Sequence, residues 1–187
     1  VVPDDHPRNM GVMGSKGSLS GNYATSHADL LIVIGSRGVC QADCSGTGYA
    51  SASAVININA DLGDVTHYNR TVALPGDIGV VIGQLREALQ RQGGVDLERA
   101  EAWLDATAAK KREWQALKAE RYAHPVLPDP MWGRPVLTQP AAIKIACDFA
   151  NSIRAVKFFD AGDAQAGGFQ VAEDDEPGQT ITETGAS

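Results

Sequence analysis

Two stretches of the sequence combine glycines with charged side chains, and such stretches hold phosphate groups in many proteins. The first stretch lies between Gly11 and Gly38 and includes four candidate ligand contacts, Gly14, Gly17, Gly35 and Arg37. Glycine allows a ligand to approach the backbone, and an arginine can pair with a phosphate. The glycines precede a strand and lack a Lys-Ser/Thr pair, so they match neither the dinucleotide fingerprint nor a Walker A loop. A ligand site and a tightly packed loop both remain open.

The second stretch is Asp160-Ala-Gly-Asp-Ala-Gln165, which directly follows a predicted strand. Ligands of open α/β sheets bind where strands end, so this position suits a binding turn. Its candidate residues are Asp160, Gly162 and Gln165. An ordinary turn between a strand and a helix is the alternative.

The cysteines and histidines do not form a recognisable catalytic or metal-binding pattern. Cys40 and Cys44 are four residues apart, but a structural zinc site needs four ligands and no second pair lies near them in the sequence. The four histidines are scattered along the chain. We expect no metal site in this chain and no catalytic triad. Three cysteines without a framework indicate reduced thiols and a cytoplasmic location.

Composition limits the possible partners. The chain has 187 residues, is 43% hydrophobic and carries a formal net charge of −7, which disfavours nucleic-acid binding. Its longest apolar runs are far shorter than the roughly 20 residues needed to span a bilayer, so we expect no membrane segment. No signal peptide is visible at the start. The chain begins with valine and ends within the motif-like Thr-Gly-Ala-Ser, and we expect it to be a fragment.

Residues 1–92 predict an α/β domain with a Rossmann-like parallel sheet flanked by helices. Strands are expected at 30–34, 55–59 and 71–74, and helices at 18–27 and 78–92, the last N-capped by Asp77. The first strand is apolar at every position, which indicates burial on both faces. The second alternates with asparagine, which indicates one less buried face. A short helix is expected around 51–54.

The second half predicts a linker followed by an incomplete α/β domain. Residues 93–135 combine a helix at 96–121 with an extended, proline-rich linker at 124–135. Residues 136–187 then hold a helix at 141–153, a strand at 155–159 and an acidic tail, 171–187, that we interpret as a solvated loop. This small set of elements cannot bury both faces of its sheet.

Residues 5–90 resemble the central domain of thiamine-diphosphate enzymes of the acetolactate synthase, pyruvate oxidase and decarboxylase group. The resemblance is carried by Gly11-Val-Met-Gly14, by Ala28-Asp29 through Gly35-Ser-Arg37, by Val55 through Asp61, and by Gly76-Asp77. It implies that the central domain binds FAD, ADP or no nucleotide, with Gly14, Gly17, Gly35 and Arg37 as the possible contacts.

Residues 136–187 resemble the start of the same family's diphosphate-binding domain. The resemblance implies that Asp160, Gly162, Gln165, Gly185 and Ser187 lie on the thiamine-diphosphate side. The family binds magnesium through a Gly-Asp-Gly…Asn motif, and this motif does not occur in this chain. The family's N-terminal domain, which carries the glutamate that activates the thiazolium ring, does not occur in it either.

The implied parent protein is a homodimeric or homotetrameric lyase or transferase that needs magnesium. It would act on a small 2-keto acid or a related carbonyl substrate, and the chain alone would be inactive. The alternative is a non-catalytic nucleotide-binding module. A sirtuin-like enzyme is disfavoured because paired zinc cysteines are missing.

Overall fold

The computed structural model describes residues 2–36, 44–94, 96–174 and 176–182. The chain divides into two compact units. We call Met13–Ser15 with Gly21–Thr107 the sheet unit, and Val1–Val12, Lys16–Ser20 and Ala108–Ser187 the terminal unit. The three-part division into 1–92, 93–135 and 136–187 stays a prediction.

The described part of the chain alternates helices and strands, and the predicted α/β class is confirmed. The strands are β1 (Leu30–Ile34), β2 (Ala54–Asn59), β3 (Thr71–Pro75), β4 (Val126–Asp129), β5 (Arg134–Leu137), β6 (Lys157–Phe159) and β7 (Thr180–Thr182). The helices are α1 (Leu19–His27), α2 (Ile78–Arg91), α3 (Leu97–Ala123), α4 (Gln139–Ser152) and α5 (Asp163–Val171). None of these helices is long and apolar enough to cross a membrane.

The sheet unit contains a parallel sheet of three strands in the order β1-β2-β3. Ile32 pairs with Ile56, and Ile56 pairs with Val72. On one face, Val33 and Val55 pack into a core with Tyr49, Ala52 and Tyr68. These β-branched and aromatic side chains suit a pleated surface that is covered by other residues.

The prediction that β1 is buried on both faces is wrong. Leu30, Ile32 and Ile34 expose 43%, 46% and 49% of their surface, whereas Val33 is buried. Side chains alternate across a strand, so the exposed residues all lie on the face opposite the core. An unbroken apolar run therefore did not guarantee two covered faces.

The prediction that one face of β2 is less buried than in β1 is also wrong. Asn57 is fully buried and Asn59 is 9% exposed. Asn57 Nδ2 donates to Asp64 O at 3.0 Å, and Asn59 Nδ2 donates to Ser36 O at 3.3 Å. Loop carbonyls accept a hydrogen bond from each amide nitrogen, whereas Asn57 Oδ1 is buried without a hydrogen-bond partner.

Helix α2 begins where the sequence predicted. Asp77 is its N-cap, and the Asp77 side chain accepts a hydrogen bond from Val80 N at 3.1 Å. The expected short helix at 51–54 is wrong, because residues 44–51 form turns and β2 already begins at Ala54.

The terminal unit replaces two predicted irregular segments with strands. The expected extended linker at 124–135 contains the antiparallel hairpin β4–β5, in which Asp129 pairs with Arg134. The expected solvated tail contains β7, which pairs in parallel with β6. The strands β4 and β5 are neighbours joined by residues 130–133, whereas β7 pairs with a strand that lies before α5 in the sequence.

The sheet formed by β6 and β7 has an exposed apolar face, and this generates a stability prediction. Phe158 and Ile181 are paired and expose 63% and 50% of their surface. A two-stranded sheet with one bare face is marginally stable. We expect residues 136–187 to be less stable than residues 5–122, so that native-state hydrogen exchange is faster in β6 than in β2. Equal protection of the two strands would contradict this expectation.

Candidate functional site

The turn after β6 places an uncapped helix end next to bare backbone. Gly162 is the N-cap of α5, and no side chain caps the helix there. Its φ of +91° is a conformation that glycine adopts most readily, and nothing lies within 4 Å of the place where a side chain would begin. Asp160 Oδ1 accepts a hydrogen bond from Ala161 N at 2.7 Å, which holds the turn closed. The free N–H groups of such a helix end can bind an anion.

Gln165 lies in the first turn of α5 and is only 2% exposed. Lys16 Nζ donates to Gln165 Oε1 at 3.3 Å. The other end of the amide, Nε2, is buried and has no hydrogen-bond partner. A buried donor without a partner is costly, and in a native protein it needs an explanation such as a ligand.

The segment that carries Lys16 is held on α5 by a second side chain. Gln170 Nε2 lies 3.3 Å from Lys16 O and 3.5 Å from Gly17 O. Gly17 therefore contributes its carbonyl to a contact with α5. The structure thus joins two stretches that the sequence presented as separate candidates, Lys16–Gly17 and the turn before Gln165.

Lys16 and Gln170 are the residues that the sequence analysis missed. Lys16 had a weak signal, since it is a cation between glycines in Gly14-Ser-Lys-Gly17. Gln170 had none, because a polar residue on a helix is ordinary. The partners Lys16 and Gln165 are 149 residues apart, and spacing could not link them.

The glycine candidates of the sheet unit are engaged in packing. Gly14 N donates to Asn22 Oδ1 at 2.7 Å, and Asn22 Nδ2 donates to Gly14 O at 3.0 Å. A side chain on Gly35 would begin 2.8 Å from Ile78 Cδ1, and Gly35 N donates to Ile58 O at 2.9 Å. The left-handed φ of +100° at Gly14 and the close approach of Ile78 at Gly35 explain why glycine is needed at both positions without a ligand.

Three further candidates, Arg37, Gly185 and Ser187, lie outside the described residues. Cys40 lies outside them as well. Within the described ranges, no group of three or more histidine, cysteine, aspartate or glutamate side chains could hold a metal ion.

The acidic segment after α5 is held by two buried lysines. Lys118 pairs with Glu173, and Lys157 Nζ lies 2.8 Å from Asp174 Oδ1. Thr180 Oγ1 donates to Asp174 Oδ1 at 2.8 Å. Buried charges persist when they are paired and hydrogen-bonded in this way. These ion pairs fix the end of α5, whose start carries the candidate turn.

Two groups near these ion pairs could be mistaken for nucleophiles. Burial raises the pKa of the Cys147 thiol, with Lys157 opposing this effect. Burial and then Glu173 raise the pKa of Tyr122 to about 12. Both groups are therefore protonated at neutral pH, and neither is an activated nucleophile.

The turn fits a diphosphate group in part. The open space at Gly162 and the unpartnered Nε2 of Gln165 suit phosphate oxygens. Asp160 and Asp163 add negative charge at the same turn, which repels a bare diphosphate. A divalent cation on the diphosphate would offset this repulsion, so the residues fit a metal-bound diphosphate better than a free one.

Comparison with known proteins gives a family match for the first part of the chain. The family model for the thiamine pyrophosphate enzyme central domain matches residues 1–85. The chain is 30% identical over 115 residues to the acetolactate synthase isozyme 1 large subunit of Escherichia coli (strain K12). It is 28% identical over 105 residues to an acetolactate synthase of Mycobacterium avium.

The matches to these relatives are partial. The Escherichia coli match covers 61% of this chain and 19% of the relative. The Mycobacterium avium match covers 55% of this chain and 17% of the relative. A probable acetolactate synthase large subunit of Methanocaldococcus jannaschii is 29% identical over 104 residues, which is 55% of this chain and 17% of the relative. The chain thus spans less than a fifth of the length of these relatives.

The raised pKa of Tyr122 generates a pH-dependence prediction. The unfolded chain releases the Tyr122 proton near pH 10, whereas the folded chain holds it until about pH 12. The folded state therefore binds more protons in this interval, and its stability falls as pH rises from 10 to 12. We expect Tyr122→Phe to lose less stability in urea denaturation over this range than the wild type.

The same variant has a second expected property. Tyr122 Oη is buried without a hydrogen-bond partner, so its removal should cost little stability at neutral pH. Tyr23→Phe in the sheet unit is the control for loss of a tyrosine hydroxyl. A pH profile of Tyr122→Phe identical to that of the wild type would show that another group causes the alkaline loss.

Proposed function

We propose that this chain is a fragment of an enzyme that requires thiamine diphosphate and magnesium, because residues 1–85 match the family model for the thiamine pyrophosphate enzyme central domain. The enzyme acts on a small 2-keto acid or a related carbonyl substrate. It cleaves or forms a carbon–carbon bond in the manner of a lyase or transferase. The observation that carries the proposal is the family match, and the three acetolactate synthase relatives support it.

The turn after β6 is the proposed cofactor-binding part of this chain. Gly162 and the start of α5 offer backbone N–H groups to the diphosphate, and Gln165 offers an amide N–H. Asp160 holds the turn through Ala161 N at 2.7 Å. We propose that Gly185 and Ser187 add contacts to the same group. When bound, thiamine diphosphate supplies a nucleophilic carbon and an electron sink, and the protein orients it.

Magnesium is proposed to accompany the diphosphate. The turn carries Asp160 and Asp163, which disfavour an uncompensated diphosphate. No described cluster could hold the ion by itself. The metal is therefore proposed to be held by diphosphate oxygens together with residues beyond the described ones. We propose that the isolated chain is inactive for this reason.

The proposed setting of the enzyme is the cytoplasm, with the active form a homodimer or homotetramer. Exposed apolar residues support an assembly: Ile145 and Phe149 on α4 and Ile153 at its C-cap recur every four residues and are each more than half exposed. A patch of this kind often marks an interface.

FAD or ADP binding by the sheet unit is the weaker proposal. Asn22 occupies both backbone groups of Gly14, and Gly35 packs against Ile78. A nucleotide bound to the sheet unit would have to displace the Asn22 contacts or use Arg37.

The cofactor proposal predicts a glycine-specific loss of affinity. We expect the magnesium complex of thiamine diphosphate to bind the wild-type chain in calorimetry, without turnover of pyruvate. Gly162→Ala should weaken binding by at least about tenfold, because a side chain there strains the turn and fills the space above it.

Gly178→Ala is a matched control for this substitution. Gly178 has a φ of +85°, and nothing lies within 4 Å of its added side chain. Both variants should lose a similar amount of stability, and only Gly162→Ala should lose affinity. Equal affinity in the two variants would argue against the turn as the binding site, and turnover of pyruvate would overturn the proposed inactivity.

A further inference from the structure

The contact between Lys16 and Gln165 determines the orientation of a buried amide. Lys16 Nζ carries only donors, so it must face the amide oxygen, and Oε1 lies 3.3 Å away. The amide nitrogen Nε2, with its two hydrogens, therefore faces away from Lys16. Gln165 is 2% exposed and Nε2 has no partner, so a donor is oriented and held without an acceptor.

The orientation is supported from the backbone. Gln170 Nε2 contacts Lys16 O at 3.3 Å, which ties the backbone of Lys16 to the same helix as Gln165. Gln165 and Gln170 both belong to α5, so Lys16 is attached to this helix through its side chain and its main chain. A lysine side chain loses conformational entropy when it is held in one rotamer. Attachment of the Lys16 backbone to α5 reduces the entropy that the side chain must still lose to reach Gln165.

The charge of Lys16 matters because the turn is acidic. Asp160 and Asp163 lie at the start of α5, where their carboxylates oppose an anionic ligand. The ammonium group of Lys16 is positively charged and is hydrogen-bonded to Gln165, near the N-terminus of α5. At the far end of α5, Lys118 and Lys157 are neutralised by Glu173 and Asp174. Lys16 is therefore the better placed cation to offset the two aspartates.

We propose that Lys16 and Gln165 form a recognition pair for a diphosphate group, in which Gln165 donates Nε2–H to a phosphate oxygen. Lys16 is a positioning residue: it holds the amide oxygen, directs Nε2 to the ligand and adds positive charge. The inference rests on the proposed function, since it assigns a role to Lys16 at the same cofactor turn. It adds Lys16, a residue near the start of the chain, to the proposed binding site.

The test uses the magnesium complex of inorganic pyrophosphate as the probe, titrated into the full chain by calorimetry. We expect Lys16→Met to weaken binding by at least about tenfold, the range expected for a lost hydrogen bond to a charged group. Lys16→Arg keeps the charge and the donor and should restore most of the affinity. Gln165→Glu keeps an oxygen for Lys16 but lacks the donor, so it should fold and bind weakly.

Lys110→Met is the charge-matched control, because Lys110 is another lysine of the terminal unit and pairs with Glu113 on α3. Thermal unfolding of each variant shows whether it is folded. Absence of binding to the wild type overturns the proposed function together with this inference. Wild-type binding that survives Lys16→Met, or that falls equally in Lys110→Met, overturns the inference alone.

Discussion

Two lysine ammonium groups are buried in the terminal unit, and the neutralisation of their charges organises that unit. Lys118 and Lys157 are 9% and 7% exposed, and the consecutive carboxylates Glu173 and Asp174 pair with them. An unpaired buried charge would cost several kcal/mol, so the chain after α5 must return to these lysines. This requirement joins α3 and β6 to a single short segment. It also sets where α5 ends.

The position of α5 in turn determines what the candidate turn can do. The helix starts at an uncapped glycine and ends at the ion pairs, and between them it carries Gln165 and Gln170. Both glutamines contact the segment that contains Lys16. A functional group built on a helix end is thereby supported by residues from the opposite end of the chain. Such support is what keeps a binding group in one orientation.

Gly35 and Gly162 differ in what surrounds them. In the sheet unit, Gly35 allows Ile78 to approach the backbone. In the terminal unit, Gly162 has a left-handed φ and open space around it. The first kind of glycine serves packing and the second leaves room for a ligand. This difference favours the turn over the glycine loop as the place where a family cofactor would bind.

Local pattern determined the class of each strongly periodic element. The apolar run at Leu30–Ile34 and the Asp77 N-cap predicted β1 and α2, because strand formation and capping depend on neighbouring residues. The motifs from Gly11 to Asp77 also carried the family resemblance, and the family match confirms it. The sequence likewise singled out Asp160, Gly162 and Gln165, although their cofactor role stays a proposal.

Tertiary structure alone decided which groups are buried and which residues meet. Asn57 is fully buried and donates to the carbonyl of Asp64, and one face of β1 is exposed because nothing covers it; neither fact could be read from neighbouring residues in the chain. The contact of Lys16 with Gln165 joins residues 149 positions apart. Such long-range contacts depend on the tertiary arrangement of the helices and strands, which cannot be inferred from residue spacing or composition.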